Sequence, residues 1–301
     1  MSPFTPSTQQ KGIVDELHKA ARRNFPRRSV QIRGLFDLWQ VDLVEMIPYA
    51  SVNRGHKYLL TCIDACSKMA WAEPLKTKTG PEVTAAMEKI LTKAKKAPKN
   101  IQADNGKEFY NSRFEGLKKK HGINLYSTYS TKKASIVERF NRTLKTKMWK
   151  QFSLQGSYKW VDLLDRFIKE YNGSVHRSIG MKPVDVKPEH EKELVRRLAK
   201  ISRHLPVVKR LPKFKLGDKV RLSKIKALFK KGYTPNWGTE IFKVDKVQPT
   251  RPVTYILQDL KGAPIKGGYY TEELQKTKHP DDYLIEKVLR RKGDKAYVKW
   301  L

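Results

Sequence analysis

The chain has 301 residues, of which 63 are Lys or Arg and 30 are Asp or Glu, so its formal net charge is +33. This excess of positive charge goes beyond what solubility requires and predicts a polyanionic partner, with nucleic acid favoured over a membrane surface or a purely structural ribosome-like role. With 39% hydrophobic and 10% aromatic residues, the chain can bury an enzyme-sized core divided between two domains, with room for a third small module.

The cysteine content and the apolar runs exclude several classes of protein. Cys62 and Cys66 are the only cysteines, so they provide no disulfide framework and fit a reducing compartment. No apolar run approaches the length of a membrane span, and the N-terminus lacks the apolar region of a signal peptide. We therefore expect a protein that does not bind or cross a membrane.

The N-terminal stretch predicts a short helix over residues 8–24 that ends before Pro26. Basic residues surround this proline at positions 22, 23, 27 and 28. We interpret residues 1–33 as a basic N-terminal arm.

From Leu35 onward the pattern indicates an α/β domain. Three β-rich runs separated by turn residues predict an antiparallel meander. Apolar residues at positions 83, 87, 90, 91 and 94 then predict a helix, and "NIQADNG" predicts a fourth strand. Further helices are expected over 112–121, 134–152 and 158–171, and they complete a domain over residues 34–188.

The last third of the chain predicts smaller elements. A charged helix over 189–203 shows little periodicity, so we interpret 189–205 as a helical linker. Four or five short strands between 206 and 278 are typical of a small β-barrel. The final segment, 281–301, contains two strand-like runs around a Gly-Asp turn.

Three carboxylates stand out in this basic chain. Asp42 lies inside the apolar strand "WQVDLV", where a charge is costly unless something pairs with it. Asp104 ends the fourth strand, and Glu138 is the one acid among ten Lys or Arg between positions 116 and 150. Each has an ordinary structural alternative: a buried turn partner for Asp42, an Asx turn for Asp104 and an ion pair with Arg142 for Glu138. Together, three acids from two strands and a helix are what two-metal phosphodiester chemistry requires.

The motifs that carry these acids resemble the core of retroviral-type integrases. They read "WQVDL", "ADNGKEF" and "SIVERFNRTLK", and the resemblance covers about residues 34–200, with 33 residues between the second and third acids against the family's usual thirty-five. It implies an RNase H-like mixed-sheet core in which Asp42, Asp104 and Glu138 are catalytic and hold two Mg²⁺ or Mn²⁺ ions. Glu108 is then a structural partner, and Asp64 has a supporting role.

Basic residues near the predicted site are candidate DNA contacts. Arg142 and Lys145 fall on the same helical face as Glu138, so that face presents one acid and two cations; a solvated ion-pair face is the alternative. In the resembling family the DNA end lies here. The loop before the helix adds Lys132 and Lys133, and the predicted barrel adds Lys213, Lys215, Lys219 and Arg221.

Both C-terminal segments also resemble known modules. The phrases "FKLGDKVRL" and "YTPNWGTEIFKV" in 206–278 resemble the SH3-like DNA-binding domain of integrases from Maverick/Polinton elements; a protein-interaction barrel is the alternative. Residues 281–301 are similar to the first half of a chromodomain, with Tyr283 and Trp300 at two positions of the aromatic cage that holds methyl-lysine. This segment is a partial, truncated chromodomain in our interpretation, and a longer form would bind histone tails.

Zinc is not expected as a cofactor. Retroviral integrases begin with a His-His-Cys-Cys zinc domain, whereas the first forty residues here contain His18 and no cysteine. Cys62 and Cys66 are interpreted as small buried thiols rather than metal ligands.

These inferences predict a nuclear integrase or transposase of a Maverick/Polinton-like or gypsy-like element. It would process 3′ ends and transfer them into target DNA as a homo-multimer, because two DNA ends must be joined together. The first alternative is a domesticated, catalytically silent DNA- or chromatin-binding protein, and the second is a structure-specific nuclease on the same fold.

Overall fold

Two structural units make up the chain in the computed structural model, which describes residues 7–28, 30–127, 135–202, 211–224, 233–282, 284–293 and 295–300. The core unit comprises residues 29–204, and the terminal unit combines residues 1–28 with residues 205–301. The first and last segments of the sequence therefore belong to one structural unit. Among the described residues, no helix has the length and apolarity needed to span a bilayer.

The helices and strands are numbered in chain order. The helices are α1 (Thr8–His18), α2 (Gly80–Ala94), α3 (Ser112–His121), α4 (Ser135–Gln155), α5 (Leu164–Asn172) and α6 (Glu191–Ser202). The strands of the core unit are β1 (Leu38–Glu45), β2 (Tyr58–Asp64), β3 (Ala70–Leu75), β4 (Asn100–Gln102) and β5 (Asn124–Tyr126). Those of the terminal unit are β6 (Lys219–Leu222), β7 (Phe242–Gln248), β8 (Thr254–Gln258), β9 (Pro264–Tyr270), β10 (Leu274–Lys276), β11 (Ile285–Lys292) and β12 (Lys295–Trp300).

A mixed sheet of five strands forms the centre of the core unit, in the order β3-β2-β1-β4-β5. The first three strands pair antiparallel, which confirms the predicted meander. β4 and β5 join parallel to β1 and to each other. The short strand β5 was not predicted, because three residues between a glycine and a serine-rich stretch carry too little alternation to indicate a strand.

Alternation along β1 assigns its side chains to opposite faces of the sheet. Trp39 and Val41 pack in a cluster with buried residues of α2 and α3. Val44 packs in a second cluster with Val137 and Phe140 of α4. The even-numbered positions of β1 therefore face α4, and these include Asp42.

Helix positions agree with the predicted periodicity where one face is strongly apolar. The predicted residues Val83, Met87, Ile90 and Leu91 of α2 are buried, and α3 has the predicted bounds. α5 begins later than predicted, because a 3-10 turn over Val161–Leu163 precedes it.

Helix α6 contradicts the prediction of a linker. Its Leu194 and Leu198, one turn apart, pack with Ile179 and Cys66 in a buried cluster of the core unit. The carboxylate of Glu191 also accepts a hydrogen bond from the Leu35 backbone N–H at 3.1 Å. The interpretation failed because two buried leucines on a charged helix give a narrow apolar stripe.

The terminal unit contains an antiparallel sheet in the order β10-β6-β7-β8-β9, and β11 pairs antiparallel with β12. Helix α1 is packed into this unit rather than forming part of an arm: Ile13 and Leu17 are buried with Trp237. The Leu17 carbonyl accepts hydrogen bonds from the backbone N–H groups of Asn236 and Trp237 at 2.8 and 3.1 Å. The arm prediction is thus wrong for residues 8–18, because a helix partner far along the chain left no local signal.

Candidate active site

Asp42 and Asp104 are positioned by two parallel neighbouring strands. Gln40 of β1 lies opposite Gln102 of β4 in the register of the sheet. Asp42 and Asp104 each come two residues after these paired glutamines. Because β1 and β4 run parallel, the two acids lie on the same side of the glutamine pair along the strands. Since positions two apart share a face, Asp42 lies on the α4 side of the sheet with Gln40.

Gln40 links this strand pair to the helix that carries Glu138. The Gln40 side chain is fully buried; its Nε2 donates to Gln102 Oε1 at 2.9 Å, and its Oε1 accepts from the backbone N–H groups of Ile136 and Val137 at 2.9 and 3.0 Å. One amide therefore fixes the first turn of α4 relative to β1 and β4. Sequence reasoning missed Gln40, although a glutamine inside an apolar strand two residues before an acid was a usable signal.

The Asp42 carboxylate is half-buried and accepts two hydrogen bonds. Oδ1 accepts from the Leu43 backbone N–H at 2.9 Å, and Oδ2 accepts from Asn141 Nδ2 of α4 at 2.8 Å. The pKa of Asp42 is raised to about 6, mainly by burial and also by the negative charges of Asp104 and Glu138, whereas the two hydrogen bonds oppose the increase. The structure thus brings Asp104 and Glu138 within electrostatic range of Asp42.

A groove of about 930 Å³ begins at Asp42 and Glu138 and runs along α4. We call it the α4 groove. Asp42 and Glu138 line it together with Arg142 and Lys145, so the predicted face with one acid and two cations opens into the same space as Asp42. Further along, the groove is lined by Thr146, Trp149, Lys150 and Ser153. It therefore joins an acidic region to a basic and aromatic one.

The donor atoms at the acidic end fit a hard divalent cation. They are oxygens, the charges of three acids reinforce one another, and Asn141 Oδ1 is buried without a hydrogen-bond partner among the described residues. Within the described part of the chain, no three His, Cys, Asp or Glu side chains converge closely enough to hold an ion at once. The chemistry of the donors fits a metal, and the side chains of the acids are further apart than a closed site requires.

The loop that carries Asp104 is anchored at the start of α3. Asn111 caps that helix by accepting from the Phe114 N–H at 3.0 Å, and its Nδ2 donates to the Glu108 carbonyl at 2.8 Å. The Glu108 carboxylate lies over Gly106, where an added Cβ would stand 2.3 Å from Glu108 Oε1. Glu108 is thus packed within its own loop.

Asp64, the last residue of β2, has a structural position. It is 1% exposed; its carboxylate accepts from the backbone N–H groups of Phe36, Cys66 and Ser67, from Trp39 Nε1 and from Ser67 Oγ. Burial raises the pKa of Asp64, whereas these hydrogen bonds oppose the increase. Asp64 thus anchors the turn after β2 and the residues that lead into β1.

Both cysteines are buried thiols, as interpreted from the sequence. Burial raises the pKa of Cys66 to about 12 and that of Cys62 well above its ordinary value. Cys62 packs in the cluster under α2, and Cys66 packs under α6. The two thiols therefore belong to different clusters of the core.

The remaining predicted DNA contacts differ in their surroundings. Lys213 and Lys215 are exposed, and Lys219 Nζ pairs with Asp281 at 2.8 Å. Arg221 is 1% exposed; its Nη1 donates to the carbonyls of Gly238 and Thr239, and its Nε lies 3.7 Å from Glu16 Oε2.

The prediction of a phosphate contact is thus wrong for Arg221, whose guanidinium is directed into the terminal unit. The side chain of an arginine in a strand can lie on either face of the sheet, and the local sequence does not show which. The acid that pairs with Arg221, Glu16, is about two hundred residues away in the sequence. Lys132, Lys133 and Tyr283 lie outside the described residues, as does the side chain of Trp300.

Replacing Asp42 with asparagine should stabilise the folded protein in the absence of metal ions. Because the pKa of Asp42 is raised from 3.8 to about 6 in the folded state, the ionised carboxylate opposes folding above pH 6, and the opposition disappears below about pH 4. We expect a gain of ~1–2 kcal/mol at pH 7, with Asn141 able to turn its unpaired Oδ1 toward the new amide. Urea unfolding in EDTA at pH 7 and pH 4 measures this; an equal gain at both pH values would contradict the electrostatic cause.

Comparison with known proteins finds a family model, sequences and solved structures that this chain resembles. Residues 35–133 match the model of the integrase core domain. The chain is 38% identical over 197 residues to a putative uncharacterized transposon-derived protein of Caenorhabditis elegans, covering 65% of each chain. It is 37% identical over 129 residues to the Gag-Pol polyprotein of gibbon ape leukemia virus, covering 42% of this chain and 7% of that one.

A solved structure agrees on the fold. The simian T-cell lymphotropic virus intasome, determined in complex with PP2A regulatory subunit B56 gamma, contains a chain with a TM-score of 0.57 and 17% identity, covering 85% of this chain and 83% of that one. The present chain spans 65% of the length of the worm relative and 7% of that of the viral polyprotein. The resemblance to retroviral-type integrases is supported over residues 35–133, which match the model of the integrase core domain.

Proposed function

We propose that the protein is a DNA integrase or transposase that performs metal-dependent 3′-end processing and strand transfer of element DNA into target DNA. The α4 groove carries this proposal: one continuous surface contains two of the three predicted catalytic acids and the two cations expected to hold the DNA end. A groove of this composition suits a phosphodiester whose reacting phosphorus lies at the acids and whose neighbouring phosphates lie along α4.

Asp42, Asp104 and Glu138 would hold Mg²⁺ or Mn²⁺, as two ions. When bound, the ions supply charge stabilisation for the attacking and leaving oxygens of an in-line displacement. Asp42 would be kept in place by the Leu43 N–H and Asn141, and Glu138 by the attachment of α4 to Gln40. In the first step water attacks a phosphodiester near the element end, the P–O3′ bond breaks, and the element's 3′-hydroxyl is freed. In the second step that hydroxyl attacks a phosphodiester of the target DNA, and a new P–O bond forms as the target's own 3′-oxygen leaves.

Replacing Lys145 with alanine should weaken DNA binding and reduce its dependence on salt. Lys145 is exposed in the α4 groove, and the removal of one cation that neutralises a phosphate should reduce the slope of log K against log salt by about 1. Fluorescence anisotropy with a labelled duplex between 50 and 300 mM salt measures the slope. The control is Lys89→Ala on the exposed side of α2; an equal loss of affinity in both variants would assign the effect to net charge alone.

The finer identity of the protein is also proposed from sequence. The sequence motifs of the terminal unit favour a transposable element of the Maverick/Polinton-like or gypsy-like type. They also favour an SH3-like DNA-binding module and a chromodomain-like segment at 281–301. Such a protein would work in the nucleus as a homo-multimer, and a longer form would contact histone tails. The antiparallel sheet of the terminal unit and its exposed Lys213 and Lys215 support the DNA-binding part of this proposal.

The deciding experiment is a joining assay with purified protein, supercoiled plasmid and candidate element ends, in Mg²⁺ or Mn²⁺. We expect joined products with the wild-type protein and none with Glu138→Gln, which keeps the size of the side chain and removes its charge. Nicking without joining would favour a structure-specific nuclease. Tight binding without metal-dependent chemistry would favour a domesticated DNA- or chromatin-binding protein.

A further inference from the structure

A second pocket lies on a different side of α4 from the predicted active site. It has a volume of about 310 Å³ and is formed by the first turns of α4, the end of α5, the segment that follows α5, and the turn after β2. On α4 it is lined by Ser135, Arg139, Thr143 and Lys147, which recur every four residues and so form one stripe. Glu138, Arg142 and Lys145 form the neighbouring stripe in the α4 groove. We call the second pocket the cationic pocket.

The cationic pocket collects positive charge from three parts of the core unit. Arg139 and Lys147 come from α4, Arg177 from the segment after α5, and Lys68 from the turn after β2. None of the described residues that line it is Asp or Glu. Nearby acids do exist: Lys147 Nζ lies 3.3 Å from Glu170, and the buried Asp64 acts on Lys68. Among the described residues, no acidic side chain forms an ion pair with Arg139 or Arg177.

Lys68 is unusual because it is 5% exposed. Its Nζ donates to the Ala65 carbonyl at 2.6 Å, and burial lowers its pKa to about 8, partly offset by Asp64. A lysine held this deeply at the wall of a pocket is costly unless an anion offsets its desolvation. Asp64 supplies part of this compensation, and an anion bound in the pocket would add to it.

The pKa of His176, which also lines the pocket, reflects the same concentration of positive charge. Its pKa is lowered to about 4 by burial and then by the positive charges of Lys68, Arg139 and Arg177. The three cations from three segments therefore act on one point. The Ser178 N–H donates to Nδ1 of this ring at 3.3 Å, which orients it as a neutral imidazole.

We propose that the cationic pocket is a binding site for a compact phosphate-class anion, held by Arg139, Arg177 and Lys68 with the hydroxyl group of Ser135. Guanidinium groups and hydroxyls are the donors that suit tetrahedral oxyanions. The N-terminal turns of α4 add a favourable dipole, since Ser135 begins the helix. The site is separate from the α4 groove and does not depend on the proposed integrase activity.

The size of the pocket limits the ligand. A volume of about 310 Å³ admits a small group of linked phosphates or one phosphate of a strand, and it excludes a double helix. The same chemistry can therefore come from two sources, a free oligophosphate or a backbone phosphate of bound DNA. Competition between the two separates them.

The probe is sodium tripolyphosphate, titrated into the full chain by isothermal calorimetry in a metal-free buffer of low ionic strength. The pocket variant is Arg139→Gln with Arg177→Gln. The matched control is Lys89→Gln with Arg113→Gln, which removes the same charge from exposed positions on α2 and α3. We expect binding to the wild type, a loss of at least about tenfold in affinity in the pocket variant, and no more than about a twofold change in the control.

Two further readings make the test specific. NMR of the histidine ring should show the pKa of His176 rising when tripolyphosphate binds, because the anion offsets the surrounding cations. Thermal melting of the free variants should match the wild type, which excludes misfolding as the cause. Absence of binding to the wild type, equal losses of affinity in both double variants, or a pKa of His176 that does not respond would each overturn the proposal.

Competition with DNA then identifies the source. If a saturating short duplex displaces tripolyphosphate, and the pocket variant also binds the duplex more weakly, the natural ligand is a backbone phosphate. If protein saturated with duplex still binds tripolyphosphate with unchanged affinity, the ligand is a free oligophosphate. An inactive result in the joining assay leaves both outcomes standing, because neither requires catalysis.

Discussion

Replacing Asp104 with asparagine should abolish strand cleavage and joining, with a loss of at least about 1,000-fold, or ~4 kcal/mol of transition-state stabilisation. The amide keeps the shape of the side chain but supplies no negative charge. Asp104 follows β4 at the level of Asp42 and contributes to the raised pKa of that acid. Its charge is therefore part of the set that would hold the metal ions.

DNA affinity should separate from activity in this variant. Removal of a negative charge beside a phosphate ligand reduces repulsion, so Asp104→Asn should bind a duplex as tightly as the wild type or more tightly in EDTA. The measurement pairs the joining assay with fluorescence anisotropy on the same preparation. Glu108→Gln, four residues away in the same loop, is the matched control and should retain most activity. Full activity in Asp104→Asn would remove Asp104 from the metal site.

Replacing Asp64 with alanine should destabilise the core unit by ~3–5 kcal/mol. The carboxylate accepts five hydrogen bonds in the interior, three of them from backbone N–H groups. Water cannot easily replace it, because the residue is 1% exposed. The turn from β2 to β3 and the residues leading into β1 would both lose their anchor.

Urea unfolding followed by tryptophan fluorescence measures this change, since Trp39 donates to Asp64 at 3.2 Å and stacks near Trp71 with ring centroids 4.6 Å apart. Glu115→Ala is the control: Glu115 makes an exposed ion pair with Lys118, and its loss should cost no more than ~0.5 kcal/mol. A similarly small effect for Asp64→Ala would mean that the five donors find other partners.

The local sequence pattern was enough to predict those helices and strands whose pattern of apolar residues lies within one segment of the chain. The spacing of Val83, Met87, Ile90 and Leu91 predicted α2 because a helix that packs on a sheet must repeat its apolar face every 3.6 residues. The three strands of the meander followed from runs of β-branched and aromatic residues. The three acids were recognisable because each lies in a distinctive short motif, and costly charges in or beside apolar strands are conspicuous.

The tertiary structure decided the roles of residues whose partners are distant in the sequence. Gln40 joins β4 to α4 across about a hundred positions, and Glu16 reaches Arg221 across about two hundred. α1 and α6 looked like an arm and a linker because their apolar stripes are narrow and their partners remote. The cationic pocket likewise unites Lys68, Arg139 and Arg177 from three segments.

The sequence by itself thus determined the mixed-sheet core, the chemistry that is proposed and the residues to test first. The tertiary structure decided which polar groups are buried and paired, since burial depends on what packs above a residue and not on its neighbours in the chain. For this reason Lys145 stayed a candidate phosphate contact, whereas Arg221, of the same charge, became part of an interior.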